Sequence, residues 1–219
     1  MKHLNRHAGF TLVELLVSLS VMALLAVMSW RGLDAMIGAQ HANQRRSSEL
    51  QGLQAGLAQW TTDLDMLTAT GAVNALHWDG QVVRLTRRSN TPPTEGLVVV
   101  AWSSRATGRN TQWVRWQSPA LQNRKELSDA WAQAARWARG SGEADFQREV
   151  AVTPVTSLRI LFYRNGAWTE TGSANAAVAT DVSGVPNGVR LILSLPPGSG
   201  LEGTVTSDWA NPLANVGKS

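Results

Sequence analysis

The sequence predicts an α+β fold in which a long N-terminal helix, its first part inside a membrane, packs on antiparallel β-sheet. Three observations predict it: an apolar run over residues 10–30, a one-sided leucine and tryptophan stripe over residues 50–67, and alternating apolar and polar segments after residue 79. The chain of 219 residues is 43% hydrophobic and 16% charged. This composition favours a packed core over disorder.

The apolar run over residues 10–30 is the first element and carries one charge, Glu14. It has about the 20 residues that a helix needs to cross a hydrocarbon core of ~30 Å. Lys2 and Arg6 precede it, so the positive-inside rule places the N-terminus in the cytoplasm and everything after Trp30 on the far side. A secretory signal is one alternative, but no small-x-small cleavage site follows the run. A plain signal anchor, the other alternative, leaves Glu14 unexplained.

Glu14 is the unexpected feature of this run, because an ionised acid inside a membrane is costly unless it meets a cation. A cut between Gly9 and Phe10 would create a positive amine four residues before Glu14. That amine, on this chain or on a neighbour, would neutralise the acid. Gly9 also offers a protease an unhindered backbone.

The stretch "GFTLVELLVSLSVMALLA" closely resembles the N-terminus of type IV pilins and of the pseudopilins of type II secretion. The residues that match are Gly9, Phe10, Thr11, Leu12 and Glu14. The resemblance implies that a membrane prepilin peptidase removes a leader, residues 1–9, and methylates the new N-terminus at Phe10. It also implies that Glu14 recruits and aligns subunits during assembly.

A continuation of the helix is predicted over residues 31–67, on the periplasmic side. Its middle, "GAQHANQRRSSE", is polar on every side and is not expected to pack on a core. The stripe that follows is predicted to pack on the chain's own sheet, with a coiled coil to another subunit as the alternative. Gly52 and Gly56 flank the stripe and would let the helix approach the sheet closely. The stripe consists of Leu50, Leu53, Leu57, Trp60, Leu64 and Leu67.

A periplasmic β-rich globular domain is predicted over residues 68–219. Asn165-Gly166 after a strong strand indicates a hairpin, and a second cluster of strands is possible. A short helix is predicted in "LSDAWAQAARWARGSG", with Ser128 as its N-cap. The predicted strands cover residues 81–86, 96–102, 111–118, 148–153, 157–163, 188–195 and 201–209.

Several later segments resemble one pseudopilin family more specifically, the general secretion pathway protein J family of minor pseudopilins. These segments are "WRGLDAM", "WTTDL", "VTSLRILFYRNGAW" and "GVRLILSLPPGSGLEGTVTSDW". The resemblance implies a pilin-like fold and a single-pass inner-membrane protein at the tip of a short periplasmic pseudopilus. There it would join the I- and K-type minor pseudopilins and the major pseudopilin, prime assembly and touch secreted cargo.

Two other functions remain open at this point. One is a minor type IV pilin that serves adhesion or DNA uptake. The other is a membrane-anchored periplasmic binding module for carbohydrate, suggested by ten tryptophans. Nucleic acid is not an expected partner, because the net charge of +4 falls to about +2 without Lys2 and Arg6.

Catalysis and cofactors are not expected. The chain has no cysteine, no His-Glu-x-x-His pair and no Gly-x-Ser-x-Gly elbow. Asp63 and Asp65, two apart on a helix, point to different sides and form no metal clamp. Glu143 and Asp145 with Asp181 are the best metal candidates, and we expect no bound metal.

Trp113 and Trp116 are the candidate partner contacts. They lie three apart on a predicted strand and therefore face opposite sides of the sheet. One can enter the core, while the other must be covered by a helix, by the linker or by a partner. An exposed aromatic side chain is a common anchor at protein interfaces.

Overall fold

The first helix, α1 (Leu12–Asp65), is the longest element of the computed structural model. The structure describes residues 10–89, 96–108, 110–140, 147–170, 185–198 and 201–214. The chain divides into two compact units, Met1–Arg45 and Arg46–Ser219, and α1 contributes residues to both. In the described part of the first unit, residues 10–45, every residue is exposed and α1 is the one regular element.

The second unit contains two antiparallel sheets and a second helix. Sheet 1 has the order β1-β2-β3-β4-β5, and sheet 2 has the order β7-β6-β8-β9. The strands of sheet 1 are β1 (Leu76–Trp78), β2 (Val82–Arg88), β3 (Leu97–Thr107), β4 (Asn110–Gln117) and β5 (Glu149–Val155). Those of sheet 2 are β6 (Ser157–Arg164), β7 (Ala167–Glu170), β8 (Gly188–Leu195) and β9 (Gly203–Ala210). Helix α2 (Arg124–Ala138) lies between β4 and β5 in the chain.

One hydrophobic core joins the last turns of α1 to both sheets. Leu53, Trp60 and Leu64 of the stripe are buried, and Leu57 and Leu67 are partly buried against the same cluster. Sheet 1 contributes residues such as Trp102, and sheet 2 contributes residues such as Leu191. The prediction that the stripe packs on the chain's own sheets is therefore confirmed, apart from Leu50, which is exposed.

Gly56 lets α1 lie directly against sheet 1. A Cβ at this position would overlap Cγ1 of Val152 and come within 2.9 Å of the Trp113 ring. At Gly52 a Cβ would lie 3.1 Å from the backbone oxygen of Val152. The expected close approach of helix and sheet is thus present at both glycines.

Helix α2 covers the opposite face of sheet 1. Leu127, Ala134 and Trp137 of α2 pack with Val99 and Trp116 of the sheet in a second hydrophobic cluster. Both faces of sheet 1 are consequently covered by the chain's own elements.

The prediction that Ser128 caps α2 is wrong, because the helix already begins at Arg124. Asn123 is the N-cap, and its Oδ1 accepts a hydrogen bond of 2.9 Å from the backbone N–H of Glu126. The Glu126 carboxylate accepts in return from Nδ2 of Asn123 at 2.6 Å, and it also accepts from the backbone N–H of Gln122 at 2.8 Å. Asn with Glu three residues later is a reciprocal capping pattern, and it outcompetes Ser128.

The boundaries of the other elements lie within a few residues of the predicted ones, except that β3 continues to Thr107 instead of ending at Trp102. Helix α1 ends at Asp65, after which Leu67 forms an isolated bridge to Arg87. All seven predicted strands are present, and the Asn165-Gly166 hairpin joins β6 to β7, with positive φ at both residues. Strands β1 and β7 are not among the seven predicted strands, although the predicted hairpin implies a strand at the position of β7. The globular unit takes in the helix from Arg46 onward, whereas the predicted domain starts at residue 68.

Candidate assembly site at the N-terminal helix

The first part of α1 presents an apolar surface that no described residue of this chain covers. Phe10 is 82% exposed, Met22 is 69% exposed and Trp30 is 73% exposed. By length and composition, α1 contains the one stretch among the described residues that could cross a membrane as a helix. A surface of this kind is stable in lipid or against other apolar helices.

Glu14 closes a capping box at the start of α1. Its Oε2 accepts hydrogen bonds of 2.9 Å from both the backbone N–H and the hydroxyl of Thr11. The N–H of Glu14 points back to Oγ1 of Thr11 at 3.3 Å. This reciprocal arrangement satisfies backbone donors that a helix N-terminus otherwise leaves free.

The capping box is a feature that our sequence reasoning missed, although Thr-x-x-Glu at residues 11–14 is its usual signature. It gives the Glu14 carboxylate a partner inside its own chain. The amine that cleavage would create lies one residue before Thr11. Gly9, the other half of the predicted cleavage site, lies outside the described residues.

Two hydroxyls within the apolar helix are satisfied locally. Oγ of Ser18 donates to the carbonyl of Glu14 at 2.7 Å, and Oγ of Ser20 donates to the carbonyl of Leu16 at 2.8 Å. Serine can enter a membrane helix at low cost when it bonds the preceding turn in this way. With these hydroxyls satisfied, Glu14, the one charged residue of residues 10–30, is the main polar group that the apolar segment has to accommodate.

Comparison with protein families finds that residues 4–30 match the prokaryotic N-terminal methylation motif. This motif indicates a type IV pilin-like protein. The match covers residues 4–9 of the predicted leader, the predicted cleavage site and the apolar segment. No curated protein matches the chain.

For a pilin-like protein, the motif implies processing by a prepilin peptidase and assembly with other pilin-like subunits. The apolar helix is consistent with a single membrane anchor. The capping box of Thr11 and Glu14 accordingly lies inside the segment that matches the motif.

A buried acid, Asp63, fixes the C-terminal end of α1 to sheet 1. Asp63 is 0% exposed and accepts hydrogen bonds from Arg115 Nε, at 2.8 Å, and from the indole N–H of Trp102, at 2.9 Å. Gln59 Nε2 donates to Oδ1 at 2.9 Å. Arg87 Nε lies 3.0 Å from the same oxygen as an ion pair whose N–H is not aligned for a hydrogen bond.

The two arginines are bridged to each other as well as to Asp63. Gln117 Oε1 accepts from Nη2 of Arg87 at 3.1 Å and from Nη2 of Arg115 at 2.8 Å. Burial lowers the pKa of the Arg87 guanidinium, the Asp63 carboxylate opposes this shift, and the charge on Arg115 adds to it. Asp63 thus balances two cations on β2 and β4 and ties α1 to both strands.

The prediction that Trp113 or Trp116 is an exposed partner contact is wrong. The two indoles do face opposite sides of sheet 1, but both are 0% exposed. Trp113 stacks on Trp102 at 4.5 Å under α1, and Trp116 stacks on Trp137 at 6.3 Å under α2. The sequence did not reveal that α2 folds back over the second face.

No metal site is visible in the part of the chain that the structure describes: no three histidine, aspartate or glutamate side chains converge there. Asp65 points away from Asp63 and accepts from the Trp209 indole N–H at 2.8 Å. The metal candidates Glu143, Asp145 and Asp181 lie outside the described residues.

Proposed function

We propose that this pilin-like protein is a minor pseudopilin of the J type, a structural subunit at the tip of a type II secretion pseudopilus. The observation that carries the proposal is the methylation motif at residues 4–30. In addition, the apolar first part of α1 continues into the last turns of the same helix, which form part of the core of the folded domain. In this role the protein helps to initiate pseudopilus assembly and export across the outer membrane.

The J subtype is supported by two segments of sheet 2 that resemble the general secretion pathway protein J family. "VTSLRILFYRNGAW" covers β6 and its turn into β7, and "GVRLILSLPPGSGLEGTVTSDW" covers β8 and most of β9. The partners we propose are the I- and K-type minor pseudopilins, the major pseudopilin and the prepilin peptidase. The proposed location is the inner membrane, with the domain after Trp30 in the periplasm.

We assign a structural rather than a catalytic role. Asp63, a fully buried acid, is occupied by Trp102, Gln59 and two arginines and has no position left for a substrate. The Glu14 carboxylate is engaged with Thr11. Both acids therefore act in holding the helix rather than in proton transfer.

The test is assembly with defined partners. The full chain is produced in cells together with the I- and K-type minor pseudopilins of the same organism, extracted in mild detergent and purified by a C-terminal tag. We expect both partners to co-purify, and we expect deletion of the chromosomal gene to stop secretion until the full chain is restored. Co-purification with minor pilins and a defect in surface pili instead would identify the chain as a minor type IV pilin.

A further inference from the structure

Strand β9 forms one edge of sheet 2 and has a free side in the described structure. It pairs antiparallel with β8 along all eight of its residues, from Gly203 opposite Leu195 to Ala210 opposite Gly188. Among the described strands, none pairs with its other side. An edge of this kind presents a row of backbone donors and acceptors.

The hydrogen-bond pattern shows which residues face the free side. The N–H of Asn211 donates to the carbonyl of Asn187 at 2.9 Å, in register with the β8–β9 pairing. Because bonded pairs alternate in an antiparallel ladder, the odd-numbered residues of β9 bond to β8. The backbone groups of Thr204, Thr206, Asp208 and Ala210 therefore point outward, and all four residues are exposed.

Within the described residues, the other outermost strands carry features that oppose pairing, and β9 carries neither of them. Strand β1 has three residues, β7 has four, and β5 contains Pro154. Short length and proline are the usual means by which proteins protect a sheet edge. Strand β9, "GTVTSDWA", has no proline and no lysine.

The edge is also held in a fixed position. The Trp209 indole N–H donates to Asp65 at the end of α1 at 2.8 Å. The carboxylate of Asp208, the single charge on the strand, receives two bonds from Arg190, at 2.7 and 2.6 Å. A strand that is already ordered and whose charge is already paired loses little entropy when it binds another strand.

We infer that β9 pairs with an extended segment of a neighbouring pilin-like subunit, which adds a strand to sheet 2. Only another extended backbone matches alternating N–H and C=O groups along a strand. The incoming segment would place apolar side chains beside Val205 and Trp209 and polar ones beside Thr206 and Asp208, because side chains alternate between the two faces. The inference rests on the proposed function only for the identity of the subunit that supplies the segment.

A second copy of this chain fits the edge less well. Antiparallel pairing of β9 with itself would be a two-fold contact, which uses the same surface on both copies and closes on itself. Such a closed contact joins two copies only, whereas the methylation motif implies assembly with other pilin-like subunits. We therefore assign the edge to a different subunit.

The first test compares Thr206→Pro with Thr206→Ala in the full chain. Proline removes one outward N–H without breaking a bond to β8, whereas alanine alters the side chain and keeps that N–H. We expect at least a tenfold loss of co-purified I- and K-type partners for T206P, little change for T206A, and similar melting temperatures for both. Wild-type recovery with T206P, or equal loss with T206A, would overturn the inference.

This comparison separates the inference from the proposed function. If the wild-type chain assembles with minor pilins instead, the proposed function fails, and the two variants still test the edge with those partners. If it assembles with neither class, both fail.

A second measurement covers the case in which T206P does not fold. Residue-resolved hydrogen exchange of the wild-type chain in detergent should show fast exchange at Thr204, Thr206 and Asp208 and slow exchange at Val205 and Ser207. Addition of the partners should slow hydrogen exchange at Thr204, Thr206 and Asp208. Slow exchange in the isolated chain at every concentration would mean that the chain covers its own edge. Protection that is lost on dilution would mean that a second copy of the chain covers the edge. Either result overturns the inference.

Discussion

At the scale of single residues, two acids decide how α1 is used. Glu14 is paired within the first turn of the helix, by Thr11, and lies on an exposed surface. Asp63 is paired across the fold, with cations on β2 and β4, and is fully buried. The first acid can exchange its partner when the chain is processed and assembled, whereas the second cannot be separated from its partners without exposing the core.

Replacing Asp63 by Asn should strongly destabilise the fold. The substitution leaves the guanidinium groups of Arg87 and Arg115 buried without a counter-charge, which costs about 3–5 kcal/mol. For a domain of this size we expect the melting temperature to fall by about 10 °C. Tryptophan fluorescence of the full chain in detergent measures this change. Asp65→Asn is the matched control, because the amide still offers an oxygen to Trp209 and the residue is exposed. Equal melting temperatures for the two variants would show that Asp63 does not hold the helix.

Replacing Glu14 by Ala should weaken assembly while membrane insertion stays equal or becomes easier, because a charge leaves the apolar run. Thr11→Val is the control, since it removes the capping hydroxyl and keeps the acid. We expect E14A to lose co-purification with other pilin-like subunits and T11V to keep most of it. If T11V loses as much as E14A, Glu14 acts mainly as a helix cap.

At the scale of elements, α1 combines two different surfaces in one helix. The first unit leaves its apolar side chains exposed, and the second buries Leu53, Trp60 and Leu64 beneath two sheets. Between them, residues 38–48 are polar and exposed. The helix is therefore suited to contact neighbours with its first part and to organise its own domain with its last turns.

Glycine has opposite roles in these two parts of α1. Gly56→Ala would place a Cβ against Val152 and Trp113 and should cost about 1–3 kcal/mol. Gly38→Ala meets nothing within 4 Å and should stabilise the helix by up to about 1 kcal/mol. G56A should lower the melting temperature of the second unit, whereas G38A should leave it unchanged and raise the helix signal in far-ultraviolet circular dichroism, because Gly38 belongs to the first unit. A neutral G56A would mean that α1 can shift away from the sheet at no cost.

The elements themselves followed from local patterns, whereas their tertiary partners did not. The alternation of the late strands predicts β6, β8 and β9 to within two residues, and the Asn165-Gly166 turn predicts the hairpin to β7 but not the bounds of that strand. The spacing of Asp63 to Asp65 says nothing of Arg115, which lies 52 residues later in the chain. The position of α2 over Trp116 likewise depends on packing that no local pattern encodes.

At the scale of the whole molecule, the chain combines a membrane-type segment with a domain that needs no disulfide. The chain contains no cysteine, so the second unit relies on its two hydrophobic clusters and on the Asp63 network. The methylation motif at residues 4–30 was readable because it lies in contiguous sequence. The free edge of β9 could not be predicted from the sequence, since an edge is defined only by the order of strands in the sheet.

Processing should separate the leader from the mature protein. In cells that contain prepilin peptidase, cleavage after Gly9 should leave Phe10 at the N-terminus with one added methyl group. Intact-mass measurement of the membrane-extracted protein checks both changes. Gly9→Val should leave the longer precursor, because a β-branched side chain hinders the protease. Detection of the full-length mass for the wild-type chain would contradict this prediction.

The tryptophans between α1 and sheet 1 give the domain an internal optical reporter. Trp60 meets Trp102 edge-on at 5.7 Å, with ring planes at 82°, and Trp102 stacks on Trp113 at 4.5 Å. Indoles this close couple their electronic transitions, and the sign and size of the coupling depend on their relative orientation. Because Trp60 belongs to the helix and the other two to the sheet, circular dichroism in the indole bands would register any movement of one against the other. Assembly that leaves the domain intact would preserve that signal, and assembly that pulls the helix from the sheet would erase it.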